Sequence, residues 1–402
     1  MFIMAKILGI GNTVLDIVSI VESLPNEDQE IRALDRYNQL GGNVHNTLYV
    51  LHQLGHETAI CSSVAIDTNG KKILAGLQDH QINSHYIQKF IQGSTPCSHV
   101  TINTHNGSRT IVHYRDMPEV QFEHFAKIEI ENYDWLHFEG RNLENLKGML
   151  NIAKTFLDKQ PISLEVEKDR EGIEEILHQA NVIIFSHHFA KQKGFNNGHE
   201  LIENIRSMAP NSHLVCTWGA QGVWYQSPNQ PTQHLDAINV HPIIDTLGAG
   251  DTFNAGLISA LIEKNDLSIA CKKANELAAK KIQKKGLDNL LSMDIRNQAI
   301  ANIRQLSKAK ATIVNVNGRP DIVLIMHDKE VKAYENNCPH QNVPLNEAYK
   351  IDIDPFEKTM KCSVHDAFFK IENGECIDGP CWGEHLRPVS IKVDENDDVY
   401  LA

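Results

Sequence analysis

The 402-residue chain predicts two domains: an α/β domain whose mostly parallel sheet is flanked by helices and carries a small β lid, then a compact all-β domain. Three observations predict this. Up to about residue 290, short β-branched runs alternate with longer amphipathic stretches, the rhythm of a parallel sheet under helices. A pair of alternating segments around an Asn-Gly dipeptide interrupts that rhythm. Beyond residue 290 the pattern turns to short strands and turns, and the length exceeds what one hydrophobic core usually supports.

Taken in order, strands are expected at residues 7–10, 135–138, 162–166, 182–185 and 214–217. In open α/β sheets ligands collect at the carboxyl ends of strands, which brings residues 137–142, 165–168 and 217–222 to one rim. His99-Val-Thr-Ile-Asn-Thr and Arg109-Thr-Ile-Val-His-Tyr alternate around Asn106-Gly107, a strong hairpin signal. With early strands expected at 14–20 and 31–34, this hairpin makes an accessory sheet able to serve as a lid. A polar helix is expected over 294–307 and a new strand over 312–316. The domain boundaries follow: 1–296 for the α/β domain, 297–311 for a linker and 312–402 for the β domain. Turns in the last segment are signalled by Asn317-Gly318, Asn373-Gly374 and Asp378-Gly379-Pro380.

Composition narrows the class. Hydrophobic residues at 42 % and charged residues at 22 % suit a soluble globular protein, and no window approaches eighteen uninterrupted apolar residues, so no membrane span is expected. The N-terminus lacks a basic region before its apolar stretch and runs into a strand pattern, so the expected address is the cytoplasm. A formal charge of -13 excludes a nucleic-acid partner, which requires a basic surface. Residues 312–402 hold 17 Asp and Glu against 9 Lys and Arg, a balance of -8 that leaves -5 for the longer remainder. That acidic surface is a solvated face that could also dock a basic redox partner. Eight cysteines are too dilute for a disulfide scaffold. Cys61, Cys97, Cys216 and Cys271 sit among apolar neighbours as core thiols, whereas Cys338, Cys362, Cys376 and Cys381 crowd the last quarter.

Asp245-Thr-Leu-Gly-Ala-Gly-Asp251-Thr-Phe-Asn254 stands immediately before an apolar helical run, so its glycines open a helix. Gly248 and Gly250 let backbone N–H groups approach an anion, and the helix N-terminus adds a favourable dipole. A carboxylate at Asp251 beside such a cradle suits phosphoryl transfer: donors hold the migrating charge while the base receives the acceptor hydroxyl's proton. No G-x-x-x-x-G-K-[ST] occurs, so the phosphate-binding solution is not a P-loop.

With this string, Gly41-Gly42-Asn43-Val44-His45-Asn46, Trp135-Leu-His-Phe-Glu-Gly-Arg-Asn142 and Leu164-Glu-Val-Glu-Lys168 complete a set that resembles the ribokinase-like (PfkB) carbohydrate kinases over about residues 6–290. The resemblance implies the ribokinase-like fold, a lid that clasps a second copy in a homodimer, a small sugar and ATP as ligands, and magnesium arriving with ATP. It implies that Asp16, Gly42, Asn43 and Asn46 contact sugar hydroxyls, for which amides and carboxylates are directional partners, and that Asp251 activates the accepting hydroxyl. It further implies that Arg109 reaches the nucleotide phosphates, and that Gly219, Ala220, Gln221 and Gly222 line the nucleotide site with Gly248, Ala249 and Gly250. Glu167 is an additional candidate near the magnesium. One departure is Gln283, where the pattern has a glycine, although Gly286 is retained.

Cys338-Pro-His340 and Cys362-Ser-Val-His365 each offer one thiolate and one imidazole, 21 residues apart. Two cysteines on one iron and two histidines on the other is the ligation of a Rieske [2Fe-2S] centre. A structural Cys₂His₂ zinc site uses the same donors, but favours C-x₂₋₄-C and H-x₃₋₅-H pairs over mixed ones. Residues 312–402, with Cys338-Pro-His-Gln-Asn-Val-Pro-Leu345 and Gly379-Pro380, resemble the Rieske domain of the ferredoxin type, and Cys376 and Cys381 are not spaced as further ligands. Two functions follow as expectations: a kinase for a small sugar, such as a ketohexose, with an appended electron-transfer or redox-regulating domain, or an electron-transfer protein whose kinase-like domain only binds a ligand.

Overall fold

In a computed structural model, the described residues are 3–105, 108–157, 159–290, 299–307, 309–315, 320–328, 330–394 and 397–401. The chain divides into two compact units, Met1–Leu290 and Leu291–Ala402.

The first unit contains β1 (Lys6–Ile10), β2 (Val14–Val21), β3 (Asp35–Gly41), β4 (Glu57–Ala65), β5 (Ile87–Phe90), β6 (Cys97–Asn103), β7 (Arg109–Tyr114), β8 (Trp135–Glu139), β9 (Ile162–Val166), β10 (Val182–Ser186), β11 (His213–Thr217), β12 (Val223–Gln226) and β13 (Gln233–Leu235). Its helices are α1 (Asn43–Gln53), α2 (Thr68–Asp79), α3 (Phe122–Phe125), α4 (Leu143–Phe156), α5 (His187–Gln192), α6 (Gly198–Ile205), α7 (Ala249–Ile262) and α8 (Leu267–Ile282). Among the described residues a nine-stranded sheet runs β13-β12-β11-β10-β9-β8-β1-β4-β5. It is parallel from β5 to β11, and β12 and β13 are antiparallel. The central strands β8 and β9 are buried at every position, as a sheet covered on both faces requires.

Strand order reverses at β1 and β8. From β1 the chain builds outward through β4 and β5, then returns to β8 and builds the other way. The crevice at the carboxyl ends of such a pair is where an open α/β sheet binds ligands.

The lid is a separate four-stranded sheet ordered β3-β2-β6-β7, with β6 and β7 antiparallel as the hairpin signal predicts. The Asn106-Gly107 turn itself lies outside the described residues. The second lid strand spans Asp35–Gly41 rather than 31–34, pairing antiparallel with β2. Its residues are mostly polar, so apolar patterning marks the wrong segment.

The second unit holds β14 (Ala301–Asn302), β15 (Thr312–Val314), β16 (Ile322–His327), β17 (Glu330–Glu335), β18 (Asp352–Asp354), β19 (Thr359–Lys361), β20 (Phe368–Lys370), β21 (Cys376–Asp378), β22 (Ile391–Val393) and β23 (Asp398–Leu401). They form sheets ordered β14-β23-β22, β15-β16-β17 and β18-β19-β20-β21. The polar helix expected over 294–307 is not what its described part forms. Residues 301–302 pair with β23 and 303–305 make one 3₁₀ turn, so part of the expected linker is an edge of the second unit, anchored by Asn302 Nδ2 donating to Asp398 Oδ1 at 2.7 Å. Residues 291–298, 308 and 316–319, including the Asn317-Gly318 turn, lie outside the described residues.

Candidate functional site

The crevice starts from strand register. Glu139 at the end of β8 is the direct neighbour of Glu165 on β9, and Glu167 follows two residues later on the same face. All three carboxylates therefore project to one rim. Glu139 Oε2 accepts from the backbone N–H of Asn12 just beyond β1, at 2.8 Å, and Glu139 Oε1 is bridged by Arg141 Nη1 at 3.1 Å.

Two helices packed on each other, α1 and α7, answer these acids with amides. On α1, Asn43 Nδ2 donates to Glu167 Oε2 at 3.4 Å and Asn46 Nδ2 to Asp251 Oδ2 at 2.7 Å. On α7, Asn254 Nδ2 donates to Glu165 Oε1 at 3.1 Å. Each helix contributes residues three apart, one above the other on one face. Residues 251–260 of α7 are all buried, the pattern of a core helix, so Asp251 enters the site on a rigid support. It is only 8 % exposed.

Burial sets the protonation chemistry. Desolvation raises the Asp251 carboxyl to about 7, helped by Glu167 and Glu139 and opposed by Asn46 and Arg109. Glu165 is likewise pushed well above the carboxylate range, first by burial and then by Asp251, Glu139 and Glu167; its Oε2 is buried with no hydrogen-bond partner. Asp16, on lid strand β2, is raised by burial to about 6 despite a hydrogen bond from Ser98. A carboxylate poised near neutrality at a helix entrance can take a proton from a hydroxyl while backbone N–H groups hold an anion.

Glycines admit the close approaches. Gly42 caps α1 at φ +100°, and a Cβ there would meet the Asn12 carbonyl oxygen at 2.2 Å; one on Gly41 would meet Asp16 Oδ2 at 2.2 Å. Gly248 is the left-handed cap of α7, and open space faces Gly250. Ahead of it, Asp245 is locked by Lys281: Nζ donates to Asp245 Oδ2 at 2.8 Å, to Asp245 O at 3.0 Å and to Lys284 O at 3.2 Å. Lys281 is fully buried. Gly286 N completes the lock on Asp245 Oδ2 at 3.0 Å. Arg109, the first residue of β7, donates from Nη1 to Thr246 Oγ1 at 2.9 Å, so the lid reaches the 245–251 turn. Gly219, Ala220 and Gln221 form an exposed 3₁₀ turn closed by Gly222 at φ +86°. Gln283 caps α8, its Nε2 3.5 Å from the His241 carbonyl oxygen.

Of the expected residues, Asn43 pairs with Glu167, Asn46 with Asp251 and Arg109 with Thr246 of the 245–251 turn, whereas Gly219–Gly222 form a turn with no hydrogen bond to these residues among the described ones. The roles of Glu139, Glu165, Asn254 and Lys281 escaped sequence reasoning. The signal for the first two was an acid at matching positions of two adjacent strands, which only the register reveals.

In the second unit the two loops expected to hold the cluster are built alike. Cys338 N donates to Val343 O and Cys362 N to Ala367 O, both at 2.8 Å, and the fifth residue of each loop, Asn342 or Asp366, has a left-handed backbone, which Asn and Asp tolerate. Cys338 and Cys362 are fully buried, and each thiol lies in the electrostatic field of the other. The His340 and His365 rings lie 4.7 Å apart at 89°, each with a buried Nδ1 that has no partner. Orphaned buried nitrogens call for an acceptor of their lone pairs. Two thiols together and two imidazoles together suit one iron apiece of a [2Fe-2S] cluster. A Cβ on Gly379 would meet Ala367 Cα at 2.7 Å, so the Gly379-Pro380 turn packs on the second loop. Cys376 and Cys381 are buried with sulfurs 3.2 Å apart.

This combination defines an α/β phosphotransferase site in one unit and a cluster-binding β domain in the other. The pfkB family carbohydrate kinase model matches residues 4–294, and the Rieske [2Fe-2S] domain model residues 296–391. The chain is 33 % identical over 294 residues to ketohexokinase of Mus musculus, covering 71 % of this chain and 99 % of that protein. It is 23 % identical over 276 residues to a nucleoside kinase of Methanocaldococcus jannaschii, covering 66 % and 86 %. The solved ribokinase of Giardia lamblia shares the fold, with a TM-score of 0.63 at 18 % identity, covering 71 % of this chain and 97 % of that one. The chain belongs to the pfkB family of carbohydrate kinases and carries a C-terminal Rieske domain. It is therefore an ATP-dependent sugar kinase that uses Mg²⁺, with a [2Fe-2S] cluster implied by its second domain. No helix of the described residues is long and apolar enough to cross a membrane.

Proposed function

We propose that the chain transfers the γ-phosphoryl group of ATP to a hydroxyl of a ketohexose such as fructose. The observation that carries this reading is Asp251: buried, raised to about 7, held by Asn46 and seated in the first turn of α7 behind Gly248. In this reading Asp251 accepts the hydroxyl proton as the oxygen attacks the γ-phosphorus and ADP departs. Asp16, Gly42, Asn43 and Asn46 bind the sugar hydroxyls, whereas Arg109, Gly219–Gln221, Gly222 and Gly248–Gly250 bind the nucleotide. The similarity to ketohexokinase supports a ketose over other sugars. The Rieske domain serves as a one-electron carrier or a redox sensor and exchanges electrons with a redox partner. The exposed apolar residues Ile111, Val112 and Tyr114 of the terminal lid strand support a homodimer clasped through the lids. Six cysteines outside the cluster loops, none of them in a disulfide, suit a reducing compartment such as the cytoplasm.

Purified protein assayed with ATP and a panel of ketoses, aldoses and nucleosides tests the kinase reading, with Asp251→Asn as control. Turnover of no panel member, or full turnover by the Asn variant, would sink it. Kinase rates of the oxidised and reduced protein, measured side by side with reduced-state EPR, test the sensor role: equal rates leave electron carriage alone.

A further inference from the structure

A chain of hydrogen bonds runs from Asp251 through α1 to the end of α2. Asn46 Nδ2 donates to Asp251 Oδ2 at 2.7 Å; His45 Nδ1 lies 3.1 Å from Asn46 Oδ1; and His45 Nε2 lies 3.0 Å from His80 Nδ1. We infer that His45 and His80 are positioning residues that fix the Asn46 amide toward the Asp251 carboxylate, an inference that rests on Asp251 being the base of the kinase reaction.

With Asp251 ionised, as the base must be to act, chemistry fixes the direction of every bond. An ionised carboxylate only accepts, so Asn46 must present its Nδ2 to Asp251 and turn its Oδ1 the other way. An amide oxygen only accepts, so the proton of His45 sits on Nδ1. A neutral imidazole protonated there has its lone pair on Nε2, and His80 must donate from its own Nδ1. The chain reads His80 to His45 to Asn46 to Asp251, and a reversed tautomer at either ring would turn the amide oxygen against the carboxylate. Keeping His45 neutral is part of the device, since a doubly protonated ring would oppose the His80 donor. Its imidazole is 1 % exposed and burial lowers it to about 3, with His80 adding to the effect.

The far end is anchored as well. His45 and Tyr49, four apart on α1, face the same way, and both meet His80 at the end of α2. The Tyr49 and His80 rings stack at 3.7 Å and 9°, and the Tyr49 hydroxyl donates to Asp288 Oδ1 at 2.9 Å. Charged and titratable groups facing His80 are Asp288, Asp79 and His52. Those facing Asp251 are Glu167, Glu139 and Arg109, with Glu165 and Lys281 also in its field. Losing the Asn46 donor removes a bond made to the charged form, so the Asp251 carboxyl moves up.

The test reads Asp251 directly. In protein carrying ¹³C-labelled aspartate, the Asp251 carboxyl signal, identified by its loss in Asp251→Asn, is titrated for the parent, His45→Leu, His45→Asn and His80→Phe. The Leu variant removes the donor to Asn46, and the Phe variant keeps a ring on Tyr49 without a donor. Both are expected to raise the midpoint by about one unit, the scale of one charge-assisted bond. Their kcat with ATP and D-fructose is expected to fall by about 10- to 100-fold, as for a misplaced reacting group. His45→Asn puts an amide nitrogen where Nδ1 stood and is expected to return both readouts to near the parent. An unmoved midpoint in folded His45→Leu or His80→Phe, or equal shifts in the Leu and Asn variants, would overturn the positioning role. Should His45→Leu not fold, His80→Phe decides. Full turnover by Asp251→Asn would instead remove the base assignment, an outcome distinct from these because the carboxyl titration needs no substrate.

Discussion

At Asp251, activity and stability pull in opposite directions. Burial raises its carboxyl from an ordinary 3.8 to about 7, so between those values the folded state holds a proton that the unfolded chain releases. Stability from this group is fully present below pH 3.8 and is lost as pH rises through about 7. A base must be ionised to act, so kcat/KM rises with pH over the upper part of the same window. Asp251→Asn should accordingly lose about 10²- to 10⁴-fold in kcat while gaining melting temperature at pH 8, with the gain shrinking toward pH 4. Thermal melts of both proteins across that range check it; an Asn variant less stable at pH 8 contradicts the burial argument. Asp16, raised to about 6 for the same first cause, adds to the loss of stability toward neutral pH.

At the scale of elements, the site depends on how α1, α7 and α8 begin and end. Gly42 starts α1 at φ +100° with no room for a Cβ, so Gly42→Ala should cost about 1–3 kcal/mol in urea unfolding and weaken sugar binding. Lys281 in the last turn of α8 ties Asp245 to the 284–286 loop; Lys281→Met removes the buried cation and leaves Asp245 with only the Gly286 and Leu247 N–H donors, and a loss of up to about 3 kcal/mol is expected, again read from the urea midpoint. These anchors explain what was legible in the sequence. The 245–254 string could be read because its chemistry, a left-handed glycine cap followed by a buried acid, is contained within ten residues. The partnership of Asn254 with Glu165, 89 residues away, depends on sheet register, and Lys281 reads as an ordinary cation at a helix end until its burial is known. Likewise β2 announced itself by its density of β-branched apolar residues, whereas β3, exposed along much of its length, is mostly polar and hydrophobicity does not register it. The 294–307 stretch misled for the opposite reason: its polar helical pattern yields to pairing with β23 over 301–302.

For the whole molecule, the two units have separate cores, one gathered around Leu8, Phe138, Leu164 and Phe185 and another around Val323, Cys338, Cys362 and Phe369. The second core includes both sulfurs expected to hold the cluster, and His340 and His365 each present a buried Nδ1 without a partner. Metal ligation then enters the folding free energy of that unit alone, because the binding site does not exist in the unfolded chain. Calorimetry of the full chain should resolve two transitions. Stripping the iron by reduction and chelation, or introducing Cys362→Ser, leaves buried donors unsatisfied and should lower one transition by more than about 10 °C, since each kcal/mol moves a domain of this size by about 4–8 °C. The transition of the kinase unit should stay in place and continue to rise on adding ATP, which binds only the folded state. Loss of iron that shifts both transitions together would mean that the cluster stabilises the kinase core as well, and that the two sites share one folding equilibrium.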